Sequence, residues 1–135
     1  MRWVIKRTNE PAEVFLFKGN TLQHAQKAVG GYVESIHVTE EVDILVNEDG
    51  FFLGLPENCG FLGTFLFVGV SGDSWQWCSL DDEQVRKSLA WCDEHANDRH
   101  SGEEGFRVLA GERAQAVLTE AGKTYLHRMA EWERL

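Results

Sequence analysis

The hydrophobic and polar positions of this chain alternate over several short stretches, a pattern that predicts β-strands with one buried face. The apolar run at residues 61–70 lacks this alternation and predicts a strand that is buried on both faces. The predicted strands cover residues 2–7, 13–17, 32–38, 42–46, 51–53, 61–70 and 74–78. Glu34 interrupts the apolar face of the third strand, which places that strand at an edge of the sheet.

Apolar residues at helical spacing predict three helices between and after these strands. The first follows Asn20, a good N-cap residue, and ends at Gly30, which can adopt the left-handed conformation of a helix C-cap. The second begins at Ser79 as its cap and carries an apolar stripe that includes Cys92. The third covers residues 112–134 and presents Trp132 on its apolar side.

The order of these elements predicts an α+β fold with a mostly antiparallel or mixed sheet of about six strands. A tight turn at residues 47–50, with Gly50 in a positive-φ position, would join the fourth strand to the fifth. The polar, glycine-bearing stretch 97–105 suggests a boundary, and residues 106–109 would add a short strand. We therefore expect an α+β domain at residues 1–96, with one or two packed helices, and a loop with a helical extension packed on it at 97–135.

Charge and composition narrow the classes of partner. The 135 residues carry a formal net charge of −9, which disfavours direct binding to nucleic acid or to anionic membranes and favours a basic or neutral partner. The first seven residues are charged and alternating, unlike a signal peptide, and no apolar run is long enough to cross a bilayer. These features predict a cytoplasmic protein.

Four motifs in a fixed order carry a family resemblance: VGGYVE at residues 29–34, LVNEDG at 45–50, LGLPEN at 53–58 and SLDDEQV at 79–85. Over about residues 1–86 the chain resembles an uncharacterised family of small proteins, a domain of unknown function found largely in phages, plasmids and their bacterial hosts. The resemblance implies a cytoplasmic accessory protein of a mobile element. It brings no catalytic residues, and the long helical tail at 87–135 departs from the family pattern.

The cysteines and histidines are candidates for a metal site or a nucleophile pair. Cys59, Cys78 and Cys92 are irregularly spaced and predict free, mostly buried thiols. Cys92 and His95, with His100 nearby, have a spacing that can share a zinc ion, but the chain has no CxxC motif and Cys92 falls on an apolar stripe. We therefore expect no metal, no cofactor, no catalytic residues and no stoichiometric zinc.

The candidate partner-binding residues are acidic or aromatic. An acidic edge of the sheet is predicted from Glu40, Glu41, Asp43, Glu48 and Asp49. Its alternative role is a solvated edge that prevents strands of different molecules from pairing. Two tryptophans on one strand face could form an exposed anchor, namely Trp75 and Trp77. A second acidic area comprises Asp81, Asp82 and Glu83 at a helix start.

Three function classes follow. The leading one is a small acidic phage or mobile-element protein, non-catalytic, that binds and inhibits a host factor such as a defence or nucleic-acid-handling protein with a basic surface. The second is a small-ligand binder that sequesters a signalling nucleotide, and the third is an enzyme of unknown type. The chain would act as a monomer or homodimer.

Overall fold

The computed structural model describes residues 1–73, 76–100 and 120–135 of the chain. Residues 74 and 75 and residues 101–119 lie outside the described part. The predicted strand at 106–109 and the first eight residues of the predicted last helix are among them, so those two predictions stay untested.

A six-stranded antiparallel sheet forms the centre of the fold, in the strand order β2-β1-β7-β4-β3 with β8 beside the end of β7. A separate two-stranded ribbon pairs β5 with β6. The strands are β1 Arg2–Lys6, β2 Glu13–Leu16, β3 Val33–Thr39, β4 Val42–Asn47, β5 Glu57–Asn58, β6 Phe61–Leu62, β7 Phe65–Val70 and β8 Trp77–Cys78. The helices in the described part are α1 Thr21–Val29, α2 Asp82–Glu94 and α3 Glu120–Arg134. The predicted α+β class is thus confirmed, and β3 is an edge strand.

Helices cover both faces of the sheet because side chains of the central strands alternate between two cores. On β7, Leu66 belongs to the core beneath α1, whereas Phe65 and Phe67 belong to the core beneath α2 and α3. All six residues of β7 are buried, which confirms the prediction of a strand buried on both faces. The predicted run at 61–70 is nevertheless interrupted at residues 63–64, and its first two residues form β6.

The helix caps agree with the sequence at α1 and differ at α2. The Asn20 side chain accepts a hydrogen bond from the Gln23 N–H at 2.9 Å, and Gly30 has φ +82°. At α2 the cap is Asp81, which forms a reciprocal capping box with Gln84, so the predicted cap at Ser79 is wrong. Ser79 instead accepts a hydrogen bond from the backbone N–H of Arg2 at 2.9 Å.

The segment after β4 is a turn and not the predicted fifth strand. Residues 51–54 are in turns, and their backbone pairs with no strand of the described part of the chain. The side chains of Phe51, Phe52 and Leu53 are exposed. Gly50 does not have the predicted positive φ. A Cβ at Gly50 would lie 3.3 Å from Leu62, so close packing, not φ, favours glycine there.

α3 covers the core on the α2 side. Met129 and Trp132 are buried, and the Trp132 indole N–H donates to the Ser88 hydroxyl at 3.2 Å. The Trp91 indole N–H donates to the backbone carbonyl of Arg128 at 2.9 Å, which joins α2 to α3 a second time. No helix in residues 1–73, 76–100 and 120–135 is long and apolar enough to span a membrane.

Candidate functional site

The acidic residues predicted as one edge lie at opposite ends of β4. Glu40 and Glu41 form the turn before β4, whereas Glu48 and Asp49 follow its last residue. Glu48 is seven residues further along the chain than Glu41, a span of about 23 Å at the usual rise of a strand. The predicted edge is therefore two separate acidic areas.

The first area joins the Glu40–Glu41 turn to the start of α2. The Gln84 side chain amide lies 3.5 Å from a Glu41 carboxylate oxygen, which brings the turn to the exposed helix start. There, Asp82 pairs with Arg2 at 2.8 Å and Glu83 pairs with Arg86. These exposed pairs neutralise part of the area, as expected of a solvated surface.

Asp43, the fifth acidic candidate, is not part of either exposed area. Its carboxylate is only 17% exposed and lies 3.3 Å from the His37 imidazole across the β3–β4 pair. Burial raises the pKa of Asp43, although the adjacent His37 acts in the opposite direction. Asp43 therefore interacts within the sheet, with His37 of the neighbouring strand.

The second area forms a cavity of about 240 Å³ at the end of β4. We call it the acidic–aromatic pocket. Its carboxylates come from Glu34, Glu48 and Asp49, and its apolar wall includes Phe51 and Phe52, which are 53% and 71% exposed. In the described part of the chain, the other large apolar side chains that are more than 50% exposed are those of Leu16, Tyr32 and Leu53.

A buried asparagine holds the loop that carries this pocket. Asn47 is 6% exposed; its side-chain N–H donates to the Val29 carbonyl at 3.1 Å, and its side-chain oxygen accepts from the Asp49 N–H at 2.8 Å. The Glu48 N–H donates to the Tyr32 carbonyl at 2.8 Å. These bonds fix the backbone at Glu48 and Asp49 against α1 and β3, so the carboxylates are presented on a defined loop.

The chemistry of the acidic–aromatic pocket suits a cation with an apolar stem. Carboxylates accept charge-assisted hydrogen bonds from guanidinium or ammonium groups, and aromatic faces attract the same cations. Arginine and lysine side chains have both parts, because their charged heads end long apolar stems.

A second cavity, of about 310 Å³, has the opposite charge. It lies between α1 and the β1–β2 hairpin and is lined by Arg7, His24, Lys27 and the Phe15 ring, together with Ile5 and Ala28. Arg7 also pairs with Glu13 at 2.5 Å, so part of its charge is already balanced. We call this cavity the basic pocket.

The tryptophan pair is only partly described. Trp77 is half-buried, and its ring packs edge-on against Trp3 with centroids 6.0 Å apart, within the core beneath α1. Trp75 lies outside the described residues. Trp77 therefore covers the core, which leaves little of its ring for an anchor.

The thiols are free, as predicted, and His95 faces carboxylates instead of Cys92. The Cys59 thiol lies 3.6 Å from the Cys92 carbonyl, and both side chains are buried. A hydrogen bond from the Cys92 thiol lowers the pKa of Cys59, while the same contact and burial raise the pKa of Cys92. The imidazole of His95 lies 2.6 Å from Asp98, so the structure does not assemble a Cys92–His95 pair.

The sequence pattern does not predict the aromatic part of the pocket. It predicts Phe51 and Phe52 within a strand, in which one of them would face the core. The signal against a strand is the run Phe-Phe-Leu at residues 51–53, followed at once by Gly54 and then Pro56, which leaves too few residues to pair across a sheet.

Comparison with known proteins gives a family and no further relative. No curated protein and no solved structure matches the chain significantly. A family model described as a domain of unknown function (DUF3846) matches residues 1–93, which include β1–β8, α1 and most of α2. The chain therefore belongs to this family of domains of unknown function.

Proposed function

We propose that this protein is a non-catalytic binding protein whose acidic–aromatic pocket docks a cationic side chain of a partner protein. The supporting observation is the pocket itself: the Glu48 and Asp49 carboxylates and two exposed phenylalanine rings on a loop that Asn47 fixes, with Glu34 of β3 beside them. Exposed apolar groups beside charge are typical of protein interfaces, where aromatic residues dominate the binding energy.

The proposed partner is a host factor with a basic surface. The net charge of −9 accelerates encounter with such a surface, and the pocket then fixes one arginine or lysine of it. In a mobile element, a protein of this kind acts in the host cytoplasm by covering the nucleic-acid-binding groove of a defence or nucleic-acid-handling protein. We propose inhibition by occupancy, with no reaction.

A synthetic peptide tests the pocket directly. The probe is a fluorescent octapeptide of alternating arginine and glycine, and the matched peptide carries glutamate in place of arginine. We expect anisotropy to report equimolar binding of the arginine peptide that weakens steeply as salt rises.

Paired variants separate the pocket from overall charge. Glu48→Gln with Asp49→Asn removes two pocket charges, whereas Glu40→Gln with Glu41→Gln removes two charges from the other acidic area. We expect the first pair to weaken binding about tenfold and Phe52→Ala about threefold, from exposed charge-assisted and cation–π contacts of about 0.7 kcal/mol each. The control pair should weaken binding less than twofold. Equal losses in both pairs would show that binding follows net charge and uses no pocket.

The basic pocket supports a second candidate, binding of a small phosphorylated ligand such as a nucleotide. Arg7 and Lys27 offer donors to phosphate, and the Phe15 ring offers an apolar surface to a base. Calorimetry with a panel of nucleoside triphosphates tests it. Saturable binding that is lost in Arg7→Ala with Lys27→Ala would favour this function, and no heat with any nucleotide would exclude it for that panel.

A further inference from the structure

A cluster of metal-ligating side chains lies where the end of α2 meets α3, apart from both pockets. Glu94 is the last residue of α2, His95 is the residue that follows it, and Glu131 lies on α3. One donor atom from each lies within 4.8 Å of the others. Because 36 residues separate His95 from Glu131, this donor set exists only in the folded chain.

His95 is held in one orientation. It is 6% exposed, and its ring stacks on Trp91 with centroids 4.4 Å apart and an angle of 22° between the planes. Its Nδ1 lies 2.6 Å from the Asp98 carboxylate. A carboxylate at that distance accepts the Nδ1 hydrogen and orients the ring, so that Nε2 is directed at Glu131.

The Nε2 atom is the unexplained group of this cluster. It is buried and has no hydrogen-bond partner, although the Glu131 Oε2 atom lies only 2.9 Å away. Either a proton on Nε2 or a metal ion beside both atoms offsets the repulsion between the ring nitrogen and the carboxylate oxygen at this distance. Two ligands of one tetrahedral zinc ion are about 3.3 Å apart, given metal–ligand bonds of about 2.0–2.1 Å.

The local charges also favour a divalent cation. The Arg128 Nε atom lies 2.7 Å from Asp98, so these two charges balance each other. The carboxylates of Glu94 and Glu131 then bring two negative charges to the His95 ring. A divalent ion would balance them.

We propose that His95 Nε2, Glu131 and Glu94 bind a divalent transition-metal ion, for which zinc is the best match, and so fasten α3 to the end of α2. A carboxylate that fixes the tautomer of a metal-binding histidine is a recurring arrangement, and Asp98 has that position here. The His127 Nε2 atom, one helical turn from Glu131 on α3, lies 2.9 Å from the other Glu131 oxygen and orients that carboxylate. The site uses no thiolate, unlike the set of Cys92, His95 and His100 that the sequence analysis rejected.

The test uses the full chain after removal of metal with a chelator. Calorimetry with zinc chloride should give one ion per chain, and the melting temperature should rise with zinc concentration, because the ion binds the folded state. Cobalt(II) serves as a spectroscopic probe. It should give d–d bands without the intense near-ultraviolet absorption of a thiolate ligand.

Variants assign the ligands. Glu131→Gln should weaken zinc binding at least about tenfold, and Asp98→Asn should weaken it about tenfold to a hundredfold through the orientation of His95. His37→Gln is the matched control, because His37 is also paired with a carboxylate but lies in the sheet, and it should bind zinc as the wild type does. Circular dichroism of the metal-free Glu131→Gln protein must match that of the metal-free wild type.

Three outcomes would overturn the proposal. These are an absence of saturable zinc binding, zinc binding that is unchanged in a folded Glu131→Gln protein, and a cobalt spectrum with thiolate absorption. The proposal does not rest on the proposed function, since the peptide assay can fail or succeed whatever the metal content.

Discussion

Replacing Gly60 with alanine tests how strictly the chain accommodates the buried guanidinium of Arg128. Gly60 has φ +83°, and a Cβ built on it would overlap the Arg128 guanidinium, whose central carbon would lie 2.6 Å away. Arg128 is 5% exposed; its guanidinium donates to the Cys59 carbonyl and to Asp98. An alanine at position 60 must therefore displace a buried, paired charge.

Gly30→Ala is a matched control for the backbone effect. Gly30 has φ +82°, and a Cβ there would meet nothing within 4 Å. Each substitution carries the left-handed penalty of about 1–2 kcal/mol, reduced by about 0.4–1 kcal/mol because alanine restricts the unfolded chain. Gly60→Ala adds the loss of a buried ion pair, typically about 3–5 kcal/mol. We expect it to destabilise the protein by about 3 kcal/mol more than Gly30→Ala.

Urea unfolding followed by tryptophan fluorescence measures both variants. At a slope of about 2 kcal/mol per molar, the Gly60→Ala midpoint should lie about 1.5 M below that of Gly30→Ala. Adding Arg128→Leu to both backgrounds gives a second check, because removal of the guanidinium should remove most of the difference. Equal midpoints for the two glycine variants would refute the proposed close contact.

Three further predictions follow from burial and packing. Burial raises the pKa of Asp43, so its ionisation above about pH 4 lowers the stability of the folded state. In urea unfolding, the stability of Asp43→Asn relative to wild type should therefore rise between about pH 4 and pH 7. A constant difference over that range would contradict this. In native protein, iodoacetamide should label Cys78 slowly and spare Cys59 and Cys92 until urea is added, as mass spectrometry would show; labelling of all three at equal rates would contradict the structure. Trp132→Ala should lower the free energy of unfolding by about 3–5 kcal/mol, and an unchanged melting curve would mean that α3 does not cover the core.

Local patterns predicted the sheet and the caps of α1 because those features depend on nearby residues. Alternation fixes which face of β4 and β7 is buried, whatever the partner strand. The cap of α2 could not be chosen locally, since Ser79 and Asp81 are both good N-cap residues. The Ser79 hydroxyl accepts a hydrogen bond from the N–H of Arg2, 77 residues away in sequence. Asp81 therefore serves as the N-cap of α2.

The candidate sites were predicted less well because they depend on tertiary placement. The acidic residues were named from sequence, but only the length of β4 shows that Glu41 and Glu48 face different surroundings. The sequence spacing suggests His95 beside Cys92, whereas in the folded chain the His95 ring lies against the carboxylates of Asp98 and Glu131. Sequence distance hides Glu131, since no local motif connects α2 with α3.

A three-residue segment connects the proposed metal site with the acidic–aromatic pocket. Asp98 holds His95 and Arg128, while His100 lines the pocket and donates its backbone N–H to Glu57 at 2.7 Å. A change at Asp98 can therefore move His100 and alter both sites at once. Glu131 and the Glu48–Asp49 pair have no such shared segment, so variants at these positions assign an effect to one site. If zinc alters the affinity for the arginine peptide in wild type, the segment 98–100 is the shortest covalent route for that coupling, and Glu131→Gln should abolish it while leaving the zinc-free affinity unchanged.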